Sequence, residues 1–235
     1  NNDSAYETAL EFKKQGIDPI ILDTREEQSS ELIDAAKNQN IKIKFSHAVI
    51  AANGYKKVKS AQIGKLNKDK TGFENNEKID CDCICVSGFW TPTVHLASQS
   101  GNKLKFNDQI DAFIPDKSKQ HEISIGASKG TFTLKDTLEE GFKIGFEVSK
   151  NITKKNNSTS TPNSNESKKN SHDKFWCSPM PKGKNFKRFV DFQNDVAVSD
   201  IEVALREGYR SIEHVKRYTT LGMATDQGRT SNLNG

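Results

Sequence analysis

The sequence predicts an α/β layer followed by a small all-α module, and three observations carry that prediction. Residues 1–150 alternate helix and strand signals. Residues 151–173 are nearly all Asn, Ser, Thr and Lys. Residues 174–235 end in two helical patterns with glycine stops. Helix–strand alternation implies a mostly parallel sheet with helices packed on it. A segment with almost no large apolar side chains buries too little surface to offset its ordering entropy, so 151–173 is expected to be a loose tether.

The elements follow in order. "SAYETALEFKKQG" places Ser4 three residues before Glu7, a capping-box pattern. Ala5, Ala9, Leu10 and Phe12 form one apolar face, and Gly16 is a natural stop. "IDPIILD" reads as a buried strand ending at Asp23, "SSELIDAAKNQN" as a second helix and "IKIKFS" as a second strand. The stretch from His47 to Asn67 reads as a hairpin with Asn53–Gly54 at its turn. "CDCICVSG" and "HEISIGA" read as further buried strands. A helix from about Leu134 to Val148 carries Gly141 and Gly145 four apart, a spacing that permits close approach of another backbone. In the last module, Ser199 with Glu202 and then Ser211 are expected to cap two helices that stop at Gly208 and Gly222. Ile201, Ala204 and Leu205 form one stripe there, and Ile212 and Val215 another.

Composition narrows the function classes. The chain has 235 residues, a net charge of +4 and 33% hydrophobic side chains. Between Lys150 and Lys174 there are six lysines, one glutamate and one aspartate, so the tether holds the whole excess. A nucleic-acid binder concentrates basic residues on a folded face, so no nucleic-acid partner is expected. No apolar run approaches the roughly 18 residues that span a membrane, and no signal segment is visible. The absence of an initial methionine and the abrupt final glycine suggest a piece of a longer protein.

Of four cysteines, Cys81, Cys83 and Cys85 alternate, so a strand would place them on one face. At about 3.3 Å rise per residue, neighbours on that face stand too far apart for three thiolates to share one zinc. Buried structural thiols are the expectation, and nothing requires an oxidising compartment. The five histidines do not cluster, and His95 and His214 read as surface or packing residues. No Ser/His/Asp or metal-ligand spacing stands out, so no catalytic residue and no metal ligand is assigned.

Two turns could carry a nucleotide. "NNDSAY" sits where a strand-to-helix turn would offer free N–H groups to a phosphate. Asp23 follows Asn2 by 21 residues, near the interval at which a dinucleotide fold places an acidic residue for ribose hydroxyls. The glycine fingerprint is absent, and the plain alternative is a βα turn in which Asp3 or Ser4 caps a helix. The residues alone favour that alternative. In "ISIGASKGTFTLKD", Gly126 follows a strand signal and Thr133 precedes a helix with Asp136 three later. Flavoproteins with nested dinucleotide folds carry a Gly-Asp pair there. Ala127 and Ser128 stand here instead, which argues against an ordinary FAD site but not against a nucleotide without a ribityl chain.

Three stretches, "NNDSAYETALEF", "CVSGFWTPTVHLASQSG" and "FVDFQNDVAVSDIEVALREGYRSIEHVKRYTTLGMATDQGRTSN", together resemble the alpha subunit of heterotetrameric sarcosine oxidase. The resemblance runs from Asn1 to Gly235. It places residues 1–150 in a pyridine-nucleotide-disulfide oxidoreductase-like module, a partial dinucleotide-binding fold of FAD/NAD(P) type. It makes 174–235 a small helical module related to the [2Fe-2S] domain of bacterioferritin-associated ferredoxin. That frame carries C-x-C and C-x4-C; Asp191, Gln193, Asp226 and Ser231 occupy those four positions here. Oxygen and amide groups are poor substitutes for cluster thiolates, so a structural docking role is expected.

The resemblance implies a subunit of an oxidoreductase that converts sarcosine to glycine and forms hydrogen peroxide. The one-carbon unit would leave as formaldehyde or pass to tetrahydrofolate on a domain absent from this chain. It implies beta, gamma and delta subunits as partners, with FAD, the amine site and FMN mainly in or near beta, and NAD in alpha. The whole is expected in the cytoplasm. Asp3, Ser4 and Asp23, with Gly126 and Ala127, are the expected pocket wall, chosen by fold position. The alternatives are a relative acting on another secondary amine, such as an opine or dimethylglycine, and an interaction scaffold that binds no nucleotide. A weaker alternative is a metal held by Asp191 and Asp226.

Overall fold

The computed structural model describes residues 1–88, 90–154, 160–162, 164 and 172–235. It divides into two compact units, one of Asn1, Asp3–Ser87 and Asp173–Gly235, the other of Asn2 and Gly88–His172. Most of the expected tether (155–159, 163 and 165–171) lies outside the described residues. Among the described residues, no helix is long and apolar enough to cross a membrane.

The first unit begins with helix α1, Ser4–Lys14, and strand β1, Ile20–Asp23. Helix α2, Glu31–Asn38, then crosses to β2, Lys42–Phe45, which pairs parallel to β1 from Ile20↔Lys42 to Asp23↔Phe45. This is a βαβ unit, and α2 starts where the sequence places it, with Ser30 Oγ accepting from Ile33 N. Tyr6, Ala9, Ile21, Ile33, Ala36 and Ile41 form its core. Gly16, at φ +79°, ends α1 as expected.

Beyond β2 the chain turns antiparallel. Strands β3 (His47–Gly54), β4 (Val58–Leu66) and β5 (Phe73–Asp80) form a three-stranded sheet with β4 in the middle. The expected hairpin is present, with its turn at 55–57, just past Asn53–Gly54. A Cβ on Gly54 would meet Lys57 O at 2.0 Å, so the tip requires glycine. The mostly parallel sheet is therefore not what forms: among the described residues β1–β2 is the one parallel pair. "CDCICVSG" is not a buried strand either. Cys81 N still donates to Lys59 O at 3.2 Å, but β4 begins at Val58, so the ladder has run out of partner. Cys81 is half-buried, and Cys83 and Cys85 are exposed, contrary to the buried-thiol expectation.

The second unit holds a short helix α3, His95–Gln99, and a hairpin of β6, Leu104–Asn107, with β7, Ala112–Pro115. The long helix α4, Leu134–Thr153, completes it. Thr133 caps α4, its hydroxyl accepting from Asp136 N at 3.1 Å. The expected strand "HEISIGA" is absent; Gly126–Ser128 form one 3-10 turn, and Ile123 is exposed. Helix α4 buries no residue, and no atom would lie within 4 Å of a Cβ on Gly145, so the glycine pair does not serve a tight contact there. It also runs to Thr153, into the stretch expected to be tether. At the tether's far end, His172 Nε2 lies 3.2 Å from Asp111 Oδ2 within this unit.

The first unit resumes at Asp173, which pairs with Lys70. A two-strand ribbon, β8 (Phe189–Asp191) with β9 (Val196–Ala197), leads into helices α5 (Val198–Arg206) and α6 (Ile212–Thr219). The helix pair is as expected, with a small strand pair added, but Ser211 stands at the start of α6 without a side-chain cap bond. The cap of α5 lies earlier than Ser199: Asp200 Oδ2 accepts from Ala197 N at 2.8 Å. Val196, Ala197, Ala204, Val215 and Leu221 are its buried apolar residues, while Leu205 and Ile212 are exposed.

Candidate functional site

At the carboxyl end of β1, where open α/β sheets bind ligands, sit Asp23, Thr24 and Arg25, all buried. Arg25 was not legible as a site residue, yet it organises the region. Its Nη1 donates to Asp3 Oδ1 at 2.7 Å. Its Nη2 and Nε donate to Asp23 Oδ2 and Oδ1 at 2.9 and 3.0 Å, and its backbone N adds a bond of 2.9 Å to Oδ1. Tyr6 OH donates to Asp23 Oδ2 at 2.6 Å. Asp3 thus does not cap α1. Its carboxylate faces an arginine 22 residues on, and the fork geometry of guanidinium suits such bidentate pairing. Ser4 Oγ lies 2.6 Å from Ser87 Oγ.

The electrostatics follow from burial and pairing. Burial alone would raise the Asp23 carboxyl, but the bonds from Arg25 and Tyr6 outweigh it and hold the group below the usual carboxylate range. Burial alone would lower the Arg25 guanidinium; the bonds to Asp23 and Asp3 reverse that, and the shift is upward. Burial, then the bond to Asp23, pushes the Tyr6 phenol up. Among the described residues, two buried oxygens beside this cluster have no hydrogen-bond partner, Thr24 Oγ1 and Asn1 Oδ1. Such atoms are rare in folded proteins and suit a polar ligand.

Gly126 and Ala127 lie in the second unit. Gly126 has φ +63°, and a Cβ there would meet Thr137 Cγ2 at 2.9 Å. Its N–H donates to Glu140 Oε2 at 2.9 Å, while Lys129 Nζ holds the other oxygen at 2.7 Å. The turn therefore spends its central donor internally. Ile125, just before the turn, and Ser128, its last residue, line a cleft of about 250 Å³ with Leu96, Ala97 and Glu122, whereas Gly126 and Ala127 do not line it. Ligand pockets for drug-sized molecules begin at roughly 300 Å³. Asp3, Ser4 and Asp23 are brought together within the first unit; Gly126 and Ala127 belong to a different unit.

The four positions of the ferredoxin frame converge in the C-terminal module. Asp191 Oδ2 accepts from Gly222 N at 2.8 Å and Ser231 Oγ at 3.2 Å, and Oδ1 accepts from Gln193 N at 2.9 Å. Gln193 Oε1 accepts from Thr225 Oγ1 at 3.0 Å. Asp226 accepts from Gly228 N at 3.1 Å and from Thr230 N and Oγ1 at 3.0 and 2.7 Å. Asp191 and Ser231 are buried. Burial alone would raise the Asp191 carboxyl, but the N–H and O–H donors lower it. A donor set of carboxylate, amide and hydroxyl does not fit an iron–sulfur cluster, which thiolates hold. Among the described residues no group of three or more His, Cys, Asp or Glu is placed to hold a metal ion.

Comparison with known proteins agrees with this module. Residues 185–235 match the family model described as the sarcosine oxidase A3 domain. Across 99% of its length the chain is 31% identical to the sarcosine oxidase subunit alpha of Rhizobium meliloti (strain 1021). Over the same share it is 28% identical to that of Corynebacterium sp. (strain P-1). It spans only 22% and 24% of those two relatives. Among solved structures, L-proline dehydrogenase from P. horikoshii matches with a TM-score of 0.55 at 16% identity, over 92% of this chain and 42% of that one. That likeness shows a shared fold of mixed helices and sheets. The resemblance read from the sequence therefore stands: residues 185–235 are similar to the sarcosine oxidase A3 domain, and almost the whole chain is similar to a part of sarcosine oxidase alpha subunits.

Proposed function

We propose that this chain is part of the alpha subunit of a heterotetrameric sarcosine oxidase, acting in the cytoplasm with beta, gamma and delta subunits. The observation that carries the reading is the similarity to alpha subunits along 99% of the chain. In this reading the complex demethylates sarcosine oxidatively to glycine and forms hydrogen peroxide, with the one-carbon unit leaving as formaldehyde or on tetrahydrofolate. FAD, FMN and the amine-oxidising residues belong mainly to beta. This chain supplies a wall of an NAD site and a surface for neighbouring subunits.

The residues of the first unit fit such a wall. A bound dinucleotide would supply a nicotinamide and two ribose diols. Asp23 is saturated by Arg25 and Tyr6, so it shapes the wall, while the unpartnered Thr24 Oγ1 is the group that accepts or donates to a ribose hydroxyl. Asp3 fixes Arg25, and Ser4 lies at the start of α1. In the second unit the cleft is lined by Ile125 and Ser128 rather than by Gly126 and Ala127, which enter this reading only as the turn that carries Ser128. The A3 module keeps its frame through the Asp191 network and exposes Phe192, Ile212 and Met223, which suits a subunit contact.

Two measurements test this. Equilibrium dialysis of NAD against the full-length subunit should retain NAD. Thr24→Val should weaken retention by about 10-fold, the value of one hydrogen bond. No retained NAD would leave the subunit a scaffold. Turnover of the reconstituted complex on sarcosine should exceed that on dimethylglycine or an opine; the reverse order would reassign the substrate.

A further inference from the structure

We propose that Cys83 and Cys85 are a thiol-oxidation site that closes to an intrachain disulfide. Their sulfurs lie 3.8 Å apart and both side chains are exposed. A disulfide needs about 2.05 Å between sulfurs and a Cα separation of roughly 4.4–6.8 Å. Two residues spaced i, i+2 in open chain can meet the second requirement, and side-chain rotation supplies the first. Neither thiol is held in a core, so no packing opposes that rotation.

The segment's anchoring selects this pair over Cys81 with Cys83. Cys81 is half-buried at the sheet end, its N–H still bound to Lys59 O. From there to Ser87, whose hydroxyl meets Ser4 Oγ at 2.6 Å, residues 81–88 adopt no helix or strand. Cys83 and Cys85 therefore lie in a connection that is fixed at both ends and unpaired between them. Exposed, adjacent thiols of this kind are where oxidation proceeds to a disulfide rather than to irreversible acids.

The oxidant is hydrogen peroxide. One thiolate attacks a peroxide oxygen, the O–O bond breaks, and a sulfenic acid and hydroxide form. The second sulfur then attacks the sulfenyl sulfur, the S–O bond breaks, and the departing hydroxide takes the second thiol's proton. The sum is two thiols and one peroxide giving one disulfide and two waters. The dithiol loses two electrons and the peroxide gains them.

The full-length subunit, treated with dilute peroxide, alkylated, digested and weighed by mass spectrometry, tests this. The peptide carrying residues 81–85 should be lighter by two hydrogens and take up alkylating reagent at Cys81 alone; dithiothreitol should restore reaction at all three thiols. In Cys85→Ser the loss should vanish and Cys83 should be trapped by dimedone as a sulfenic acid. Alkylation of both Cys83 and Cys85 after peroxide would overturn the proposal. So would a bridge from Cys83 to Cys81 or Cys177, or sulfinic acid with no disulfide.

Discussion

Two buried carboxylates in this molecule are kept charged by opposite means. At the end of β1, Asp23 faces a full countercharge, the Arg25 guanidinium, with Tyr6 and Arg25 N completing its shell. In the A3 module, Asp191 faces no cation within bonding distance among its described partners, and its donors are two backbone N–H groups and a serine hydroxyl. Both carboxyls are lowered against the effect of burial. The lesson is that a low-dielectric site accepts a carboxylate when either a charge or an array of oriented dipoles replaces water. The first solution concentrates the dependence on one residue; the second spreads it over several.

Arg25→Met should therefore have the largest effect. It strands Asp3 and Asp23 in the interior and should cost about 3–5 kcal/mol of local stability. Hydrogen exchange of the β1 and α1 amides in the full subunit reads this directly, and a loss under about 1 kcal/mol would break the contrast with Asp191. Asp191→Ala leaves the donors of Gly222, Gln193 and Ser231 without an acceptor and should cost roughly 1–3 kcal/mol in α5 and α6 protection. If it costs more than Arg25→Met, the donor array is the stronger device.

Acid should act on both carboxylates in the same direction. Each has a folded pKa below its unfolded value, so its stabilisation is complete above the unfolded pKa of about 3.9 and is lost as pH falls through the folded one. At pH 3 the loss relative to pH 7 is at most about 1.3 kcal/mol per carboxylate. Asp23→Asn should remove that dependence from β1 amides and leave it in the A3 module; a uniform change would show that the two are not independent. The smallest effect belongs to an exposed control, the Glu213–Arg217 pair at 3.9 Å. Glu213→Gln should change α6 protection by less than about 0.5 kcal/mol and disappear in high salt.

Local patterns were readable where they act locally. Helices α1, α2, α4, α5 and α6 each announce themselves through an apolar stripe and a glycine or capping residue, because a helix satisfies its own backbone. The expected strands at 81–88 and 121–127 fail for the complementary reason. A strand needs a partner edge, and alternation in one segment says nothing about whether β4 extends far enough to supply one. The candidate site shows the same division. Asp3 and Asp23 stood out by position, but their joining through Arg25 did not, since an arginine just after a strand carries no periodic signal. Thr24 gave no sequence signal at all; only its burial without a partner marks it.

The sequence by itself determined the five longer helices, the βαβ start, the C-terminal module and the substitution of oxygen and amide groups at its four frame positions, because spacing and residue chemistry are properties of the chain. Tertiary structure alone decided the rest. It added β5 to the hairpin as a third antiparallel strand in a sheet separate from β1–β2, brought Arg25 between two aspartates, and seated Ser231 against Asp191. Each of these needs groups distant along the chain to meet in a place without water, and only the fold creates such a place.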